Sequence, residues 1–128
     1  MNRHEQRVKA FQILFQIDND IVDLNGVKFF DLYVAMPYIK ETIDYYIEHQ
    51  DEINKTISAK LNNYTLDRIS KVDRNVLRLA ASELLSTNTP KKIIVNEAVK
   101  ITKIYSDVNS YKFVNGVLKN FINEWYYE

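Results

Sequence analysis

The amino-acid sequence predicts an all-α fold of six or seven helices, and two observations support this. The 128-residue chain has only two glycines and two prolines, the residues on which the tight turns of β-sandwiches and barrels depend. Apolar residues instead recur three and four positions apart along most of the chain, which is the period of an amphipathic helix. Hydrophobic residues make up 46% and charged residues 27%, so residues 1–128 have the length and balance of a single globular domain.

Four helices are expected in the first half of the chain. Their predicted limits are residues 3–18, 28–35, 38–50 and 51–62. Breaks at Asn19-Asp20 and Asn62-Asn63 flank them, and Pro37 ends the second because proline disfavours the α conformation in the residue before it. The apolar stripes that identify them are Val8, Phe11, Leu14 and Phe15 in the first, Ile39, Ile43, Tyr46 and Ile47 in the third, and Ile53, Ile57 and Leu61 in the fourth.

The second half is expected to hold one turn and three helices. The turn covers residues 66–69, and the helices cover residues 72–85, 90–105 and about 107–126. Thr89-Pro90 opens the second of these helices, since the missing N–H of proline costs nothing in a first turn. The break at residues 62–66 divides the chain into two candidate subdomains, residues 1–62 and 66–128, each too small to bury a core alone.

The residue types present exclude several classes of chemistry. There is no cysteine, and therefore no disulfide or thiolate metal site, and the two histidines, His4 and His49, are far apart in sequence. Gly26 and Gly116 stand alone, so no glycine-rich phosphate loop exists. We therefore expect no enzyme activity, no metal and no cofactor. Without an apolar run near the ~20 residues of a membrane span or a signal peptide, the protein is expected to be cytoplasmic.

The net charge is zero, but it is unevenly distributed along the chain. Residues 1–17 carry +2 and residues 63–128 carry +3, whereas residues 18–62, with four lysines against nine acids, carry −5. A neutral total argues against bulk, non-specific binding of nucleic acid. A basic start and a basic second half can still meet in one local patch.

Four segments of the sequence resemble the NusB family. They are residues 7–16 (RVKAFQILFQ), 72–84 (VDRNVLRLAASEL), 90–99 (PKKIIVNEAV) and 112–118 (KFVNGVL). Their order and spacing fit the family over nearly the whole chain, although residues 18–62 match least. The resemblance implies two helical bundles packed together. It also implies a transcription antitermination factor that pairs with the ribosomal protein NusE, binds the boxA RNA of ribosomal RNA leaders and works with RNA polymerase and other Nus factors. Some relatives are dimeric, which leaves a homodimer open.

The resemblance further implies an RNA-binding start of the first helix, formed by Arg3, His4 and Arg7. Arg3 and Arg7 lie one turn apart on one helical face, and neither is expected to have a packing role. Cations are disfavoured at a helix N-terminus, so contact with RNA phosphates would explain their placement. His4 is the weaker candidate because a histidine is mostly neutral at pH 7.

At the start of the last helix, three residues match positions that contact RNA in the family: Asn109, Lys112 and Phe113. Helix N-termini offer backbone N–H groups to phosphate, and Phe113 either stacks on an unpaired base or packs in the core. If the two helix starts adjoin, then Arg3, Arg7 and Lys112 form one cationic patch.

Phe15 and Asp73 match the NusE-binding surface of the family. Each has a structural alternative, since Phe15 can belong to the core and Asp73 can cap its helix. Two other interpretations of the whole chain remain. One is a NusB-like module that bridges proteins without contacting RNA. The other is the NusB-like domain fused to RNA methyltransferases, which needs a second domain with a cofactor site, and we expect none in a chain that ends at Glu128.

Three expectations concern side chains within the fold. Arg78 and Glu83 are expected to form a partly buried network, because an unpaired buried carboxylate is costly. Asn96 and Glu97 are expected to bond backbone groups near the start of their helix. Gly116 costs roughly 1 kcal/mol relative to alanine inside a helix, so a close helix contact is expected to compensate.

Overall fold

Seven α-helices and three short 3₁₀ turns make up the structure, and no strand occurs in the part of the chain that is described. The computed structural model describes residues 1–62 and 64–127, with side chains as far as Phe121. The helices are α1 (Arg3–Gln16), α2 (Phe30–Ala35), α3 (Pro37–Glu48), α4 (Gln50–Ala59), α5 (Lys71–Ser86), α6 (Lys91–Tyr105) and α7 (Val108–Tyr127), and the turns are Asp18–Asp20, Leu24–Gly26 and Leu66–Arg68. The all-α prediction is confirmed, and each predicted limit lies within three residues of the observed one. Of the predicted breaks, Asn63 lies outside the described residues.

Helix α5 lies at the centre of the fold. It packs against α1, α3 and α4, and also against α6 and α7. Val76, Leu77 and Ala81 on this helix are buried and belong to one continuous apolar core. Helix α5 therefore joins α1, α3 and α4 to α6 and α7. The division of the chain into two subdomains at residues 62–66 stays a prediction. No helix in the described ranges is long and apolar enough to cross a membrane.

The relative directions of α1, α5 and α7 fix where the candidate residues lie. Helices α1 and α5 are antiparallel: Arg7, near the start of α1, bonds Glu83, near the end of α5. At the other end, the ammonium of Lys71 lies 4.2 Å from the centroid of the Phe15 ring. The first turn of α7 lies against the start of α5. It is therefore beside the end of α1 and far from its start.

Two buried ionic networks hold the two ends of α1, and Arg78 and Glu83 belong to different networks. Glu83 accepts two hydrogen bonds from Arg7 and one from Tyr38. Arg78 donates to Asp18, just beyond the end of α1. The predicted Arg78–Glu83 network is therefore wrong. The physical reason is that residues five positions apart on a helix point about 140° away from each other.

Ser70 caps α5, because its Oγ accepts a hydrogen bond from the backbone N–H of Asp73 at 3.0 Å. Asp73 thus lies in the first turn of α5, where a carboxylate suits the helix dipole, and is not the capping residue. In the same way, the side chain of Asn2 accepts from the N–H of Glu5 and caps α1. Both caps fix the first turn of a helix that carries candidate functional residues.

Gly116 lies on an exposed part of α7. Apart from its chain neighbours and the surrounding helix backbone, no atom of the described residues lies within 4 Å of the position that a Cβ would occupy. The close helix contact expected at Gly116 is therefore absent, and that prediction is wrong. Its backbone φ is not positive, so neither packing nor conformation requires a glycine here.

We expect Gly116→Ala to stabilise the protein by about 0.5–1 kcal/mol, because alanine loses less backbone entropy than glycine when a helix forms. Urea unfolding followed by circular dichroism measures the change. Lys119→Ala, at another exposed position of α7, is the control and should alter the free energy of unfolding little. A loss of stability in Gly116→Ala would contradict the open surface seen at this position.

Candidate functional site

At the start of α1, two of the predicted RNA-contacting side chains lie at the surface. Arg3 is exposed, and its guanidinium carbon lies 4.3 Å from the centroid of the Tyr38 ring, a cation–π contact that orients the charge. His4 is partly exposed, and its Nδ1 lies 2.5 Å from Oε2 of Glu97 on α6. Both side chains are thus positioned by neighbours on other helices.

The contact with His4 also explains the lowered pKa of Glu97. Burial alone would raise the pKa of the Glu97 carboxyl, but the hydrogen bond and charge of His4 lower it below its usual value. Helix α6 begins at Lys91, so Asn96 and Glu97 lie past the first turn, beyond reach of its free N–H groups. The expectation that these two side chains bond the backbone near the helix start is therefore wrong.

Arg7, the third basic residue of the helix start, is only 6% exposed. Its Nε and Nη2 donate to the two carboxylate oxygens of Glu83, each at 2.9 Å, a bidentate pair of the strong kind. The expectation that Arg7 lacks a packing role is wrong. Arg7 therefore anchors α1 and does not face solvent. A phosphate would have to displace Glu83 to reach it.

At the start of α7, Asn109 and Lys112 are exposed and Phe113 is half-buried. The side chain of Asp107 accepts from the N–H of Ser110 at 3.0 Å and thereby orders the first turn. The Phe113 ring packs edge-on against Tyr64, with ring centroids 5.8 Å apart and an interplanar angle of 78°. Phe113 therefore both touches the core and borders an aromatic surface.

The two helix starts do not adjoin, so Arg3, Arg7 and Lys112 do not form one patch. The start of α7 lies beside the second half of α1, and residues 4 to 15 of α1 span about 16 Å at 1.5 Å per residue. Two exposed lysines of α6, Lys100 and Lys103, lie between the start of α1 and the start of α7. Lys100 is 3.6 Å from Glu97, the partner of His4, and Lys103 lies over the ring of Tyr111 on α7.

A groove runs between the starts of α5 and α7, with a volume of about 380 Å³. We call it the α5–α7 groove; its walls include Tyr64, Arg68, Asp73, Asn109, Ser110 and Phe113. Asp73 is 6% exposed, and its Oδ1 is buried with no hydrogen-bond partner. Burial raises the pKa of Asp73, while the hydroxyls of Ser70 and Ser110 oppose the rise. The Asp73 carboxylate therefore interacts with two hydroxyl groups, although its Oδ1 accepts no hydrogen bond.

A second, more apolar groove of about 540 Å³ lies along the second half of α1. We call it the α1 groove; its walls include Phe11, Gln12, Phe15, Phe29, Val72 and Tyr105. The Nε2 of Gln12 donates to the Tyr105 hydroxyl at 2.6 Å, while its Oε1 is buried and unpaired. Phe15 thus lines one groove and Asp73 the other, so the two predicted partner-binding residues do not share a single groove.

The sequence reasoning missed Gln12, Tyr64, Lys100 and Lys103. Gln12 lies within a recognised motif, and its polar side chain among apolar neighbours was a usable signal. The placement of Tyr64 next to Phe113 depends on a contact between residues 49 positions apart, which no local pattern reveals. Among the described residues, no three His, Asp or Glu side chains converge as a metal site.

Comparisons with known proteins agree with the all-α fold. The chain matches the NusB family model over residues 4–123. A curated transcription antitermination protein NusB from Macrococcus caseolyticus is 42% identical, over 95% of this chain and 97% of the relative. The structure of T. maritima NusB superposes with a TM-score of 0.80 at 34% identity, covering 97% of this chain and 92% of that one.

A crystal structure of the antitermination factors NusB and NusE in complex with double-stranded RNA is also similar. It has 30% identity and a TM-score of 0.74, and the match covers 94% of this chain and 96% of that one. The family match spans most of the sequence, and the relatives cover nearly its whole length. The chain therefore belongs to the NusB family of transcription antitermination proteins.

Proposed function

We propose that this protein binds the boxA RNA of ribosomal RNA leaders together with NusE, and acts there with RNA polymerase and other Nus factors. The observation that carries the proposal is a series of contacts beside exposed cations on a protein of zero net charge. His4, next to Arg3, contacts Glu97, which Lys100 also contacts, and Lys103 lies over the ring of Tyr111, next to Lys112. A similar structure contains NusB, NusE and RNA together, which supports both partners.

In this proposal the cations hold the RNA backbone. Arg3, His4 and Lys112 contact phosphates, and the lysines of α6 extend the track between them. Asn109 and Phe113 lie nearer the bases, at a helix start that offers free N–H groups. Arg7 contributes indirectly, because its pair with Glu83 fixes the first turns of α1.

NusE is proposed to bind the α1 groove through Phe15. The unpaired Oε1 of Gln12 supports this, because a buried acceptor without a donor is unfavourable and a backbone N–H of a docked peptide would satisfy it. Asp73 is a poorer candidate for NusE contact than the sequence suggested, since it is almost fully buried. A module that only bridges proteins would use this groove alone and leave the cations unused.

The test is a salt series of boxA RNA binding by the NusE complex, comparing wild type with Arg3→Ala/Lys112→Ala. Each phosphate contact to a single strand adds about 0.7 to the slope of log affinity against log salt. We therefore expect the double variant to bind every RNA more weakly and to flatten the slope by roughly 1.4. Lys40→Ala/Lys55→Ala removes two exposed lysines from α3 and α4 and should leave the slope unchanged.

The same complexes distinguish the two interfaces. Phe15→Ala should weaken the affinity for NusE, whereas Arg3→Ala/Lys112→Ala should leave that affinity intact. If the RNA affinity and its salt slope do not change in Arg3→Ala/Lys112→Ala, the cations are only a solvated surface, and the protein-bridging function takes precedence.

A further inference from the structure

We propose that a groove on the acidic side of the protein binds a segment of a partner protein in which basic residues flank apolar ones. The groove lies between the turns that follow α1 and the helices α3, α4 and α5, and its volume is about 280 Å³. We call it the acidic groove; its walls include Ile17, Asp20, Val22, Asp23, Ile47 and Asn54. The inference goes beyond the proposed function, because none of these residues belongs to the RNA or NusE surfaces described above.

Exposed apolar side chains are the first observation. Val22 and Ile47 line the acidic groove with 38% and 37% of their surface exposed, and Ile21, the neighbour of Val22, is 68% exposed. Valine and isoleucine are among the residues most often buried in folded proteins. A group of exposed apolar side chains with polar neighbours is typical of an interaction site. These three side chains therefore indicate a contact surface.

The charge of the acidic groove is the second observation, and it indicates the kind of partner. Of the described residues that line the groove, only Asp20 and Asp23 are both charged and exposed. Neither takes part in an ion pair with another described residue. Residues 18–62 as a whole carry −5. Such a surface attracts lysine and arginine and repels a phosphate backbone, so charge complementarity favours a basic protein segment over RNA.

The floor of the acidic groove is already formed. Arg78 lines it, and the Nε of Arg78 donates to Oδ1 of Asn54 at 3.0 Å. Arg78 also donates to Asp18 and Asn75, so its charge is neutralised within the protein. A surface that is held in place before binding loses less entropy when a partner docks. The carboxylates that remain for the partner are those of the exposed rim.

The surface continues along the outer side of α4, which gives room for a peptide segment. Asn54 lines both the acidic groove and an adjoining depression of about 630 Å³, whose other walls are Asp51, Lys55, Ser58 and Ala59. Residues 51, 54, 55 and 58 are three and four positions apart, so they share one side of the helix. The two spaces together therefore fit several residues of a bound chain.

The acidic groove faces away from the start of α7. On α5, Arg78 lines the acidic groove and Asp73 lines the α5–α7 groove. Five positions on a helix correspond to a rotation of about 140°. A partner in the acidic groove would therefore leave the start of α7 accessible, and the protein would hold RNA on one side and this partner on another.

Two synthetic peptides of about 14 residues test the charge requirement with the full-length protein. In the first, leucines recur three and four positions apart, as in an amphipathic helix, and arginines flank them; in the second, glutamate replaces every arginine. Fluorescence anisotropy should show binding of the first peptide only. Asp20→Asn/Asp23→Asn should weaken that binding about 2- to 25-fold, because each exposed ion pair contributes a factor of about 1.4 to 5.

A matched control removes the same charge elsewhere. Asp31→Asn/Glu41→Gln changes two exposed carboxylates that do not line the acidic groove, and it should bind the first peptide as wild type does. Val22→Ser/Ile47→Ser should also weaken binding, because the apolar contact is lost, while its circular dichroism stays that of wild type.

The outcomes separate this inference from the proposed function. The RNA affinity of the NusE complex should not fall in Asp20→Asn/Asp23→Asn, whatever the peptides do. The inference is wrong if the first peptide does not bind, if both peptides bind alike, or if Asp20→Asn/Asp23→Asn binds the first peptide as tightly as wild type. Sedimentation velocity tests a different occupant: a wild-type dimer that Val22→Ser/Ile47→Ser abolishes would assign the groove to a second copy of the chain and would overturn the inference.

Discussion

Glu83→Ala is expected to destabilise the protein by about 3–5 kcal/mol, which is the usual cost of removing one partner of a buried ion pair. The variant would leave the guanidinium of Arg7, 6% exposed, without its carboxylate and the hydroxyl of Tyr38 without its acceptor. Urea unfolding at neutral pH measures the change. Glu48→Ala, at an exposed carboxylate of α3, is the control and should shift the free energy of unfolding by less than about 0.5 kcal/mol.

A rescue variant separates charge from packing at the same site. Arg7→Met/Glu83→Leu replaces the pair with apolar side chains of similar size, an exchange that is often neutral or stabilising. We expect the double variant to be more stable than Glu83→Ala alone. If Glu83→Ala costs less than 1 kcal/mol, Arg7 reaches solvent easily, and its assignment as the buried anchor of α1 is wrong.

The sequence contains a signal for the buried pair of Arg7 and Glu83. Arg7 lies four residues before Phe11 and seven before Leu14, so it is on the apolar stripe of α1 itself. Glu83 lies seven residues after Val76, on the apolar face of α5. One positive and one negative side chain on two buried stripes indicate an ion pair between them, because neither charge is tolerated alone in a core. The resemblance to a basic RNA-binding helix start predicted an Arg7 side chain at the surface instead.

The helices could be predicted because their determinants are local. Capping residues such as Ser70, the early Pro37 in α3 and the 3.6-residue periodicity act within one or two turns. The candidate site depends on contacts between distant segments, such as those of Tyr64 with Phe113 and of His4 with Glu97. Such contacts follow from helix directions, and a single sequence does not specify how α1, α6 and α7 are arranged.

Asp18 is the second position at which a large effect is expected. Its buried carboxylate accepts hydrogen bonds from Arg74, Asn75 and Arg78, and it joins the chain just beyond α1 to the first half of α5. Asp18→Asn would remove the negative charge that faces two guanidinium groups, and we expect a loss of about 3–5 kcal/mol in the free energy of unfolding. The adjacent Asp20 is exposed and has a positive φ of 60°, which asparagine tolerates, so Asp20→Asn is a matched control with little expected effect.

The carboxylate of Asp18 should also make the free energy of unfolding depend on pH in the acid range. Burial alone would raise the pKa of Asp18, but the hydrogen bonds of Arg74 and Asn75 and the charges of Arg74 and Arg78 hold it below its ordinary value of 3.8. A carboxyl with a lowered folded-state pKa contributes its full stabilisation above the unfolded pKa and loses it as the pH falls through the folded value. The stability difference between wild type and Asp18→Asn should therefore be complete at neutral pH and should shrink as the pH is lowered below about 4. Urea unfolding of both proteins across this range measures it. A difference that stays constant in acid would mean that the charge of Asp18 does not stabilise the junction between α1 and α5.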